Sequence, residues 1–281
     1  MRRNTAKSLR IAAVAAACIS LGTLTACGSD ESPLSTIEQV SPTVSQKSNT
    51  TSSGLDETVA NADLEVGELV RRAKQSATKV KTVHVIADIV SKGKAIKLDL
   101  RVDRDSEDFQ GSIEQDGVRL EVRRIDADMY VRGNESAYRK LVGAVDGELA
   151  AKLLAGKWLK GDAGSDQLRG LRNVTTVADP GAVLKNFPED GVKLPKETIN
   201  GREMIPLTGP PGDDDGKVYI EAQGGKPYPV MVVSEDADNS GTISYGDFDA
   251  PVKVDKPPAA DVIEIPQRNS ATGTPRPGST A

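Results

Sequence analysis

Apolar positions recur along the middle of this chain in two different periods. Over 63–80, Val66, Leu69, Val70, Ala73, Ala77 and Val80 fall three and four residues apart, with Glu68, Arg71, Arg72, Lys74 and Lys79 between them. That spacing predicts an amphipathic helix, with Asp63 as its cap. The period then drops to two. Val83, Val85, Ala87 and Ile89 alternate with His84, Ile86, Asp88 and Val90. After Ser91-Lys92-Gly93-Lys94, Ile96, Leu98, Leu100 and Val102 alternate with Lys97, Asp99, Arg101 and Asp103. Such alternation predicts an antiparallel hairpin with one wet face. Strands at 109–114, 118–123 and 125–132 continue it as a five-stranded meander, turning at Gln115-Asp116-Gly117. A stripe of Tyr138, Leu141, Val142, Val145, Leu149, Leu153 and Leu154 predicts helix over 136–160. Asp179-Pro180-Gly181 opens a short helix that Pro188 stops. Strands return at 196–207, 217–222, 230–235 and 242–248, and 252–254 extends the last hairpin before Pro257-Pro258 ends the sheet.

Helix, meander, helices, strands: this order predicts an α+β domain whose sheet is buried on one side, with the helices covering that side. The ends of the chain read differently. Arg2, Arg3, Lys7 and Arg10 precede an alanine-rich apolar run over 11–27 that closes on Leu24-Thr25-Ala26-Cys27. A basic segment, a short apolar core and small residues at a cut make a secretory signal. The last four residues also fit the bacterial lipobox. That pattern implies cleavage between Ala26 and Cys27 and a diacylglyceryl thioether on Cys27, with acyl chains of the palmitate kind. The apolar run is too short for a good spanning helix, which needs roughly 20 residues. One acyl chain holds a protein only marginally, whereas two on one residue anchor it stably.

The expected organisation is therefore a signal peptide at 1–26 and a lipidated cysteine with a disordered tether at 27–61. A folded domain follows at 62–265, and a disordered tail at 266–281. The tether is rich in Ser, Thr, Gln, Glu and Asp, and about 35 such residues span roughly 30 Å. The expected address is the extracytoplasmic face of the cell membrane. Of the 2 cysteines, Cys18 leaves with the signal and Cys27 carries lipid, so the domain must be stable without a disulfide. The chain has 36 basic and 41 acidic residues, and loss of the signal removes four of the basic ones. Such an acidic surface argues against nucleic acid and against adhesion to anionic lipid heads.

Several segments together resemble one family: the lipobox, the polar tether, the helix running into Val83-His84-Val85, Asp128-Met129-Tyr130-Val131 and Gly156-Lys157-Trp158-Leu159. Gly241-Thr242-Ile243-Ser244-Tyr245-Gly246-Asp247-Phe248, leading to Pro251-Val252-Lys253-Val254, completes the set. In these features, over about 60–258, the chain resembles the actinobacterial LppX/LprAFG lipoproteins. The resemblance implies a curved antiparallel sheet, a half-barrel with helices packed on its concave face, similar to the LolA/LolB carriers. It also implies a lipid or acylated glycolipid held between sheet and helices and moved through the envelope. No ligand-contact motif of the family can be matched residue by residue.

Aromatic residues make up 3% of the chain, so a core of smaller aliphatic groups either leaves room that acyl chains would fill or, in an Ala/Val/Gly-biased chain, is simply solid. Candidate lining residues are Val83, Val85, Ile96, Leu98, Leu100, Val118, Leu120, Met129 and Val131, each of which also fits an ordinary core. A sharper motif is Asp236-Ala237-Asp238-Asn239-Ser240-Gly241-Thr242-Ile243-Ser244-Tyr245-Gly246-Asp247. Its oxygens at Asp236, Asp238, Ser240, Thr242 and Asp247, with glycine at the sixth place, follow an EF-hand loop. Its flanks read as strands, so a hairpin turn explains the same residues and calcium is a minor option. His84 is the only histidine, which leaves no zinc site and no Ser-His-Asp triad to assemble. Glu121 and Asp126 are a carboxylate pair only loosely. No cofactor is implied. The expectation is a non-enzymatic envelope lipoprotein that carries a lipid. The alternative is a protein-interaction or envelope-sensing module on the same scaffold with a closed core.

Overall fold

The computed structural model describes residues 59–265, apart from 143–146, 166–167, 169–170, 172–173, 186, 212–215 and 237. The signal segment, Cys27, the tether and the C-terminal tail therefore lie outside the described residues.

Helix α1, Val66–Thr78, buries Leu69, Val70, Ala73 and Ala77, the stripe seen in the sequence. Its cap position is Glu65, which makes no side-chain bond. Asp63, expected there, instead closes a one-turn 3₁₀ segment, Asn61–Asp63. It stands too far ahead of the first free N–H groups of the helix to reach them. Strands β1, Thr82–Ser91, and β2, Lys94–Asp103, follow in register, Ser91 facing Lys94. The two residues between them, Lys92 and Gly93, both have positive φ (50° and 76°), the two-residue turn that matches strand twist. Asp116 and Gly117 repeat it between β3, Phe109–Gln115, and β4, Val118–Ile125.

Three expected boundaries shift. Ile125 ends β4, and β5 is Asp128–Gly133, because Asp126 takes a positive φ of 56° and turns the chain there. The helix expected over 136–160 is two helices, α2 (Glu135–Val142) and α3 (Gly147–Leu154), followed by strand β6, Trp158–Asp162. Gly156, at φ 74°, ends the helical path, and Trp158 enters the sheet. Two short helices follow, α4 (Val174–Val177) and α5 (Pro180–Leu184). Asp179 caps α5 by accepting the Gly181 N–H at 2.9 Å. After β7, Val192–Lys193, the single strand expected over 196–207 is a hairpin of β8, Glu197–Ile199, and β9, Arg202–Thr208. Asn200 and Gly201 supply its two positive-φ residues (51° and 77°). Strands β10 (Gly216–Glu221), β11 (Pro229–Glu235) and β12 (Asn239–Gly246) complete a second meander.

Residues 252–254, expected to extend the last hairpin, form no strand. Pro251, Pro257 and Pro258 deprive this stretch of ladder donors. Side chains hold it as an arm instead: the Thr82 hydroxyl donates to the Ala250 carbonyl at 2.6 Å, Gln110 Nε2 to Lys253 at 3.0 Å, and an Arg123 Nη to Asp255 at 2.6 Å. Nor does the sheet end at the prolines. A turn at Ala259–Asp261 leads into β13, Val262–Glu264, which pairs parallel to β6.

All thirteen strands among the described residues belong to one open sheet in the order β13-β6-β5-β4-β3-β2-β1-β12-β11-β10-β9-β7, with β8 beside β9. Apart from the β13–β6 pair every ladder is antiparallel. The first strand is thus central, its two neighbours coming from the two meanders. The curved α+β architecture expected from the sequence is the one the chain adopts.

Candidate functional site

The inward positions of β1 to β5 form one apolar surface. All nine candidate residues lie on it. Val83, Val85, Leu100 and Met129 are fully enclosed, and Val118, Leu120, Val131, Ile96 and Leu98 nearly so. Strand alternation brings them together, since every second residue of a strand shares a face. The strand between them was expected at 109–114, but its inward residues were not among the candidates. Phe109 and Ile113 of β3 are 0% and 1% exposed and continue the surface, as does Val122 of β4. The signal for Phe109 was weak because Gly111 and polar neighbours interrupt the alternation of 109–114.

Two groups of helices cover this surface. Over β1, β12 and β11 lie α1, α4 and α5, which contribute Leu69, Val70, Ala73, Val174, Val177 and Leu184 to the same cluster. A few polar contacts hold that cover. Arg104 donates to the Val80 carbonyl at 2.7 Å and pairs with Asp179 at 2.9 Å, linking the end of α1 to the cap of α5. Lys74 donates to the Phe187 carbonyl at 2.8 Å. The Tyr245 hydroxyl donates to the Val177 carbonyl at 3.0 Å, and burial pushes that phenol well above its ordinary range, with Asp179 adding to the shift. Over β4 and β5 sits α2, where Tyr138 donates to Lys157 O at 2.9 Å and accepts the Gly133 N–H at 3.0 Å. Leu153 of α3 is 68% exposed, an apolar side chain at the outer edge of this second cover. No helix among the described residues is long and apolar enough to cross a membrane.

The EF-like reading does not survive the fold. Ser240 and Thr242 sit within β12, facing Val90 and Asp88 of β1. Asp236 lies before the strand, where its Oδ1 accepts the N–H groups of Asp238 and Asn239, both at 2.9 Å. Asp247 lies past the other end of that eight-residue strand, roughly 25 Å away by strand rise. Five ligands strung along an extended strand cannot surround one ion. The glycine has another purpose: a Cβ on Gly241 would stand 2.3 Å from the Asp88 carbonyl oxygen, so the close β12–β1 approach requires its absence. No group of three or more candidate metal ligands occurs among the described residues.

His84 points to the opposite, outer face. Its Nε2 is 2.7 Å from Asp99, and its Nδ1 is 3.4 Å from Asp247, which also lies 3.6 Å from Arg101. Glu121 pairs with Arg132 at 2.5 Å, and Asp126 sits in the turn at the far end of β4, so these carboxylates do not meet. Trp158 stands on the same outer face, its ring flanked by the guanidinium groups of Arg123 and Arg132, each 4.7 Å from the ring centre.

No family model matches the chain, and no curated protein matches it. Among solved structures, two similar chains are mycobacterial lipoproteins. LprF of Mycobacterium bovis is 13% identical, with 69% of this chain and 97% of that one aligned at a TM-score of 0.47. LppX of Mycobacterium tuberculosis is 17% identical over 69% and 100%, at a TM-score of 0.42. MucB of Pseudomonas aeruginosa, in its complex with MucA, is 14% identical over 68% of this chain and 59% of that one, at a TM-score of 0.30. LprF and LppX carry the family name that the sequence resembles.

Proposed function

We propose that this protein is an envelope lipoprotein, anchored outside the cell membrane through diacylglyceryl Cys27, that holds an acyl-chain ligand between its sheet and its helices. The observation that carries the reading is the asymmetry of the open sheet. One face is apolar across at least five strands, and it is covered by helices that pack apolar side chains on it and are joined to the rest of the fold by few hydrogen bonds. Opening such a cover leaves the backbone ladder intact. Each methylene transferred from water to that surface contributes about 0.8 kcal/mol, so a chain of some sixteen carbons gains on the order of 10 kcal/mol against the cost of moving helices. Val83, Val85, Leu100, Leu120 and Met129 would contact the chain directly. The mechanism is sequestration: the ligand is shielded from water and passed on at a membrane, with no bond made or broken and no catalytic residue assigned.

Native mass spectrometry of the whole lipoprotein, extracted gently from membranes, tests the reading. Co-purifying acylated species that are lost on replacing Leu100 by Asn support it. A clean apoprotein that takes up no acyl ligand on incubation with lipid vesicles overturns it.

A further inference from the structure

The outer face carries a second concavity of about 430 Å³, separate from the helix-covered surface. Its floor is a row in register across four strands: Ile86, Ser244, Met231 and Tyr219. The tip of the β8–β9 hairpin, with Ile199, Asn200 and Arg202, lines the same space as Ile86 on β1. Strands β10, β11 and β12 separate β9 from β1 in the sheet, so the hairpin leans over the outer face to reach it. The volume falls within the range of small-molecule sites. Ile86 is 49% exposed there and offers an apolar floor.

Charge decides the ligand class. The acidic groups beside the concavity all have neighbours that hold them, Glu203 and Asp247 a lysine and an arginine, and Glu197 an uncharged hydroxyl. Glu203 accepts from Lys196 and Gln223, Glu197 from the Tyr219 hydroxyl, and Asp99 and Asp247 flank His84. Arg202 is exposed, on the rim, and its guanidinium has no ion-pair or hydrogen-bond partner among the described residues. A guanidinium offers a planar fork matched to a carboxylate. We propose that this outer concavity binds a small amphiphilic carboxylate, with its apolar body on Ile86 and Met231 and its anionic end on Arg202. The ligand is free in solution and distinct from the acyl chain proposed for the inner face.

The methionines make the two faces separable. Of the 4 in the chain, Met204 and Met231 line the outer concavity, Met129 lies on the covered inner face, and Met1 belongs to the signal. The whole lipoprotein in lipid nanodiscs, labelled with ¹³C-methyl methionine, would be titrated with 4-phenylbutyrate and, separately, with its uncharged amide. Saturable movement of the Met204 and Met231 signals with Met129 unmoved is expected. The amide, and the Arg202→Gln variant with phenylbutyrate, should each bind about tenfold more weakly, the scale of one lost charge-assisted contact. Arg202 has no partner to lose, so that variant keeps its fold. Unmoved Met204 and Met231 signals at ~10 mM ligand, movement of Met129 alone, or equal affinity for acid and amide would each overturn the assignment.

Discussion

Replacing Tyr245 by Phe isolates one of the contacts that tie the inner cover to the sheet. The residue is 5% exposed, and its hydroxyl donates to the Val177 carbonyl in α4 at 3.0 Å. Phe keeps the ring and its packing but leaves that carbonyl without this donor. A buried acceptor stripped of its partner costs about 1–3 kcal/mol. In a domain of some 200 residues each kcal/mol moves the midpoint by about 2–4 °C, so a fall of roughly 2–10 °C at pH 7 is expected in thermal melts followed by circular dichroism. The pH dependence makes the test sharper. Burial raises the Tyr245 phenol, so above pH ~10 the unfolded chain releases this proton while the folded chain retains it. The unfolded state then binds fewer protons, and stability falls with rising pH by about 1.4 kcal/mol per unit for this one group. Tyr130, Tyr219 and Tyr228 are raised as well, chiefly by desolvation, and they titrate in both proteins. The wild type's advantage over Tyr245→Phe should therefore shrink above pH 10 and vanish one to two units higher, as the ~1.4 kcal/mol slope consumes it. Two stability curves that stay parallel up to pH 12, or no deficit at pH 7, would refute the buried hydroxyl and its role in holding α4.

Gly241→Ala should destabilise by about 1–3 kcal/mol, because β12 and β1 must part to admit the methyl group; an unchanged midpoint in urea would contradict that close approach. Arg123→Ala removes both the bond to the Asp255 carbonyl and one guanidinium over the only tryptophan. Its emission should shift to the red, and limited proteolysis should cut within 250–258 faster than in the wild type. Adding millimolar calcium should leave the melting midpoint unmoved, since Asp236 and Asp247 lie at opposite ends of β12 and a ligand stabilises only by binding the folded state. Cys27→Ser should move the protein from the membrane fraction to the soluble one, as expected if two acyl chains are its anchor.

The paired strands were legible in the sequence where side chains alternate cleanly. Val83 to Ile89 and Ile96 to Val102 have period two with almost no exception, and β1 and β2 follow them residue for residue. Turn chemistry marked Asp116-Gly117, yet the equivalent Asn200-Gly201 was swallowed by a run read as one strand, so the hairpin that frames the outer concavity was missed. Trp158 was drawn into a helix because Leu149, Leu153 and Leu154 give a helical spacing just before it. Nothing local tells a helical residue from one that enters the sheet, and Gly156 with its positive φ was the signal to weigh. The parallel pairing of β13 with β6 joins segments about a hundred residues apart, which no local period can register. The inner surface was readable as a list of apolar positions. The outer concavity was not, since it depends on a hairpin leaning over the three strands between β9 and β1.

The position of β1 also indicates which part of the fold gives way if an acyl chain enters. It is the first strand among the described residues and yet lies at the centre of the sheet, hydrogen-bonded to β2 and β12 along nearly its whole length. Admitting a ligand by parting strands there would break a ladder whose carbonyl and N–H groups have no other partners, at about 1–3 kcal/mol for each group left buried and unpaired. The helical covers demand less. Besides side-chain packing, the α1–α5 side is held by Arg104, Lys74 and Tyr245, whose bonds exchange readily with water once the helices lift. On the other side Leu153 already stands 68% exposed. A one-residue slip of β1 would moreover turn His84 and Asp88 inward and Val83 and Val85 out, putting polar groups in the core and apolar ones in water. On the proposed reading, the sheet is therefore the fixed wall and the helices are the part that moves. The same fixed wall keeps Ile86 in place for the outer concavity whether or not the inner face is occupied.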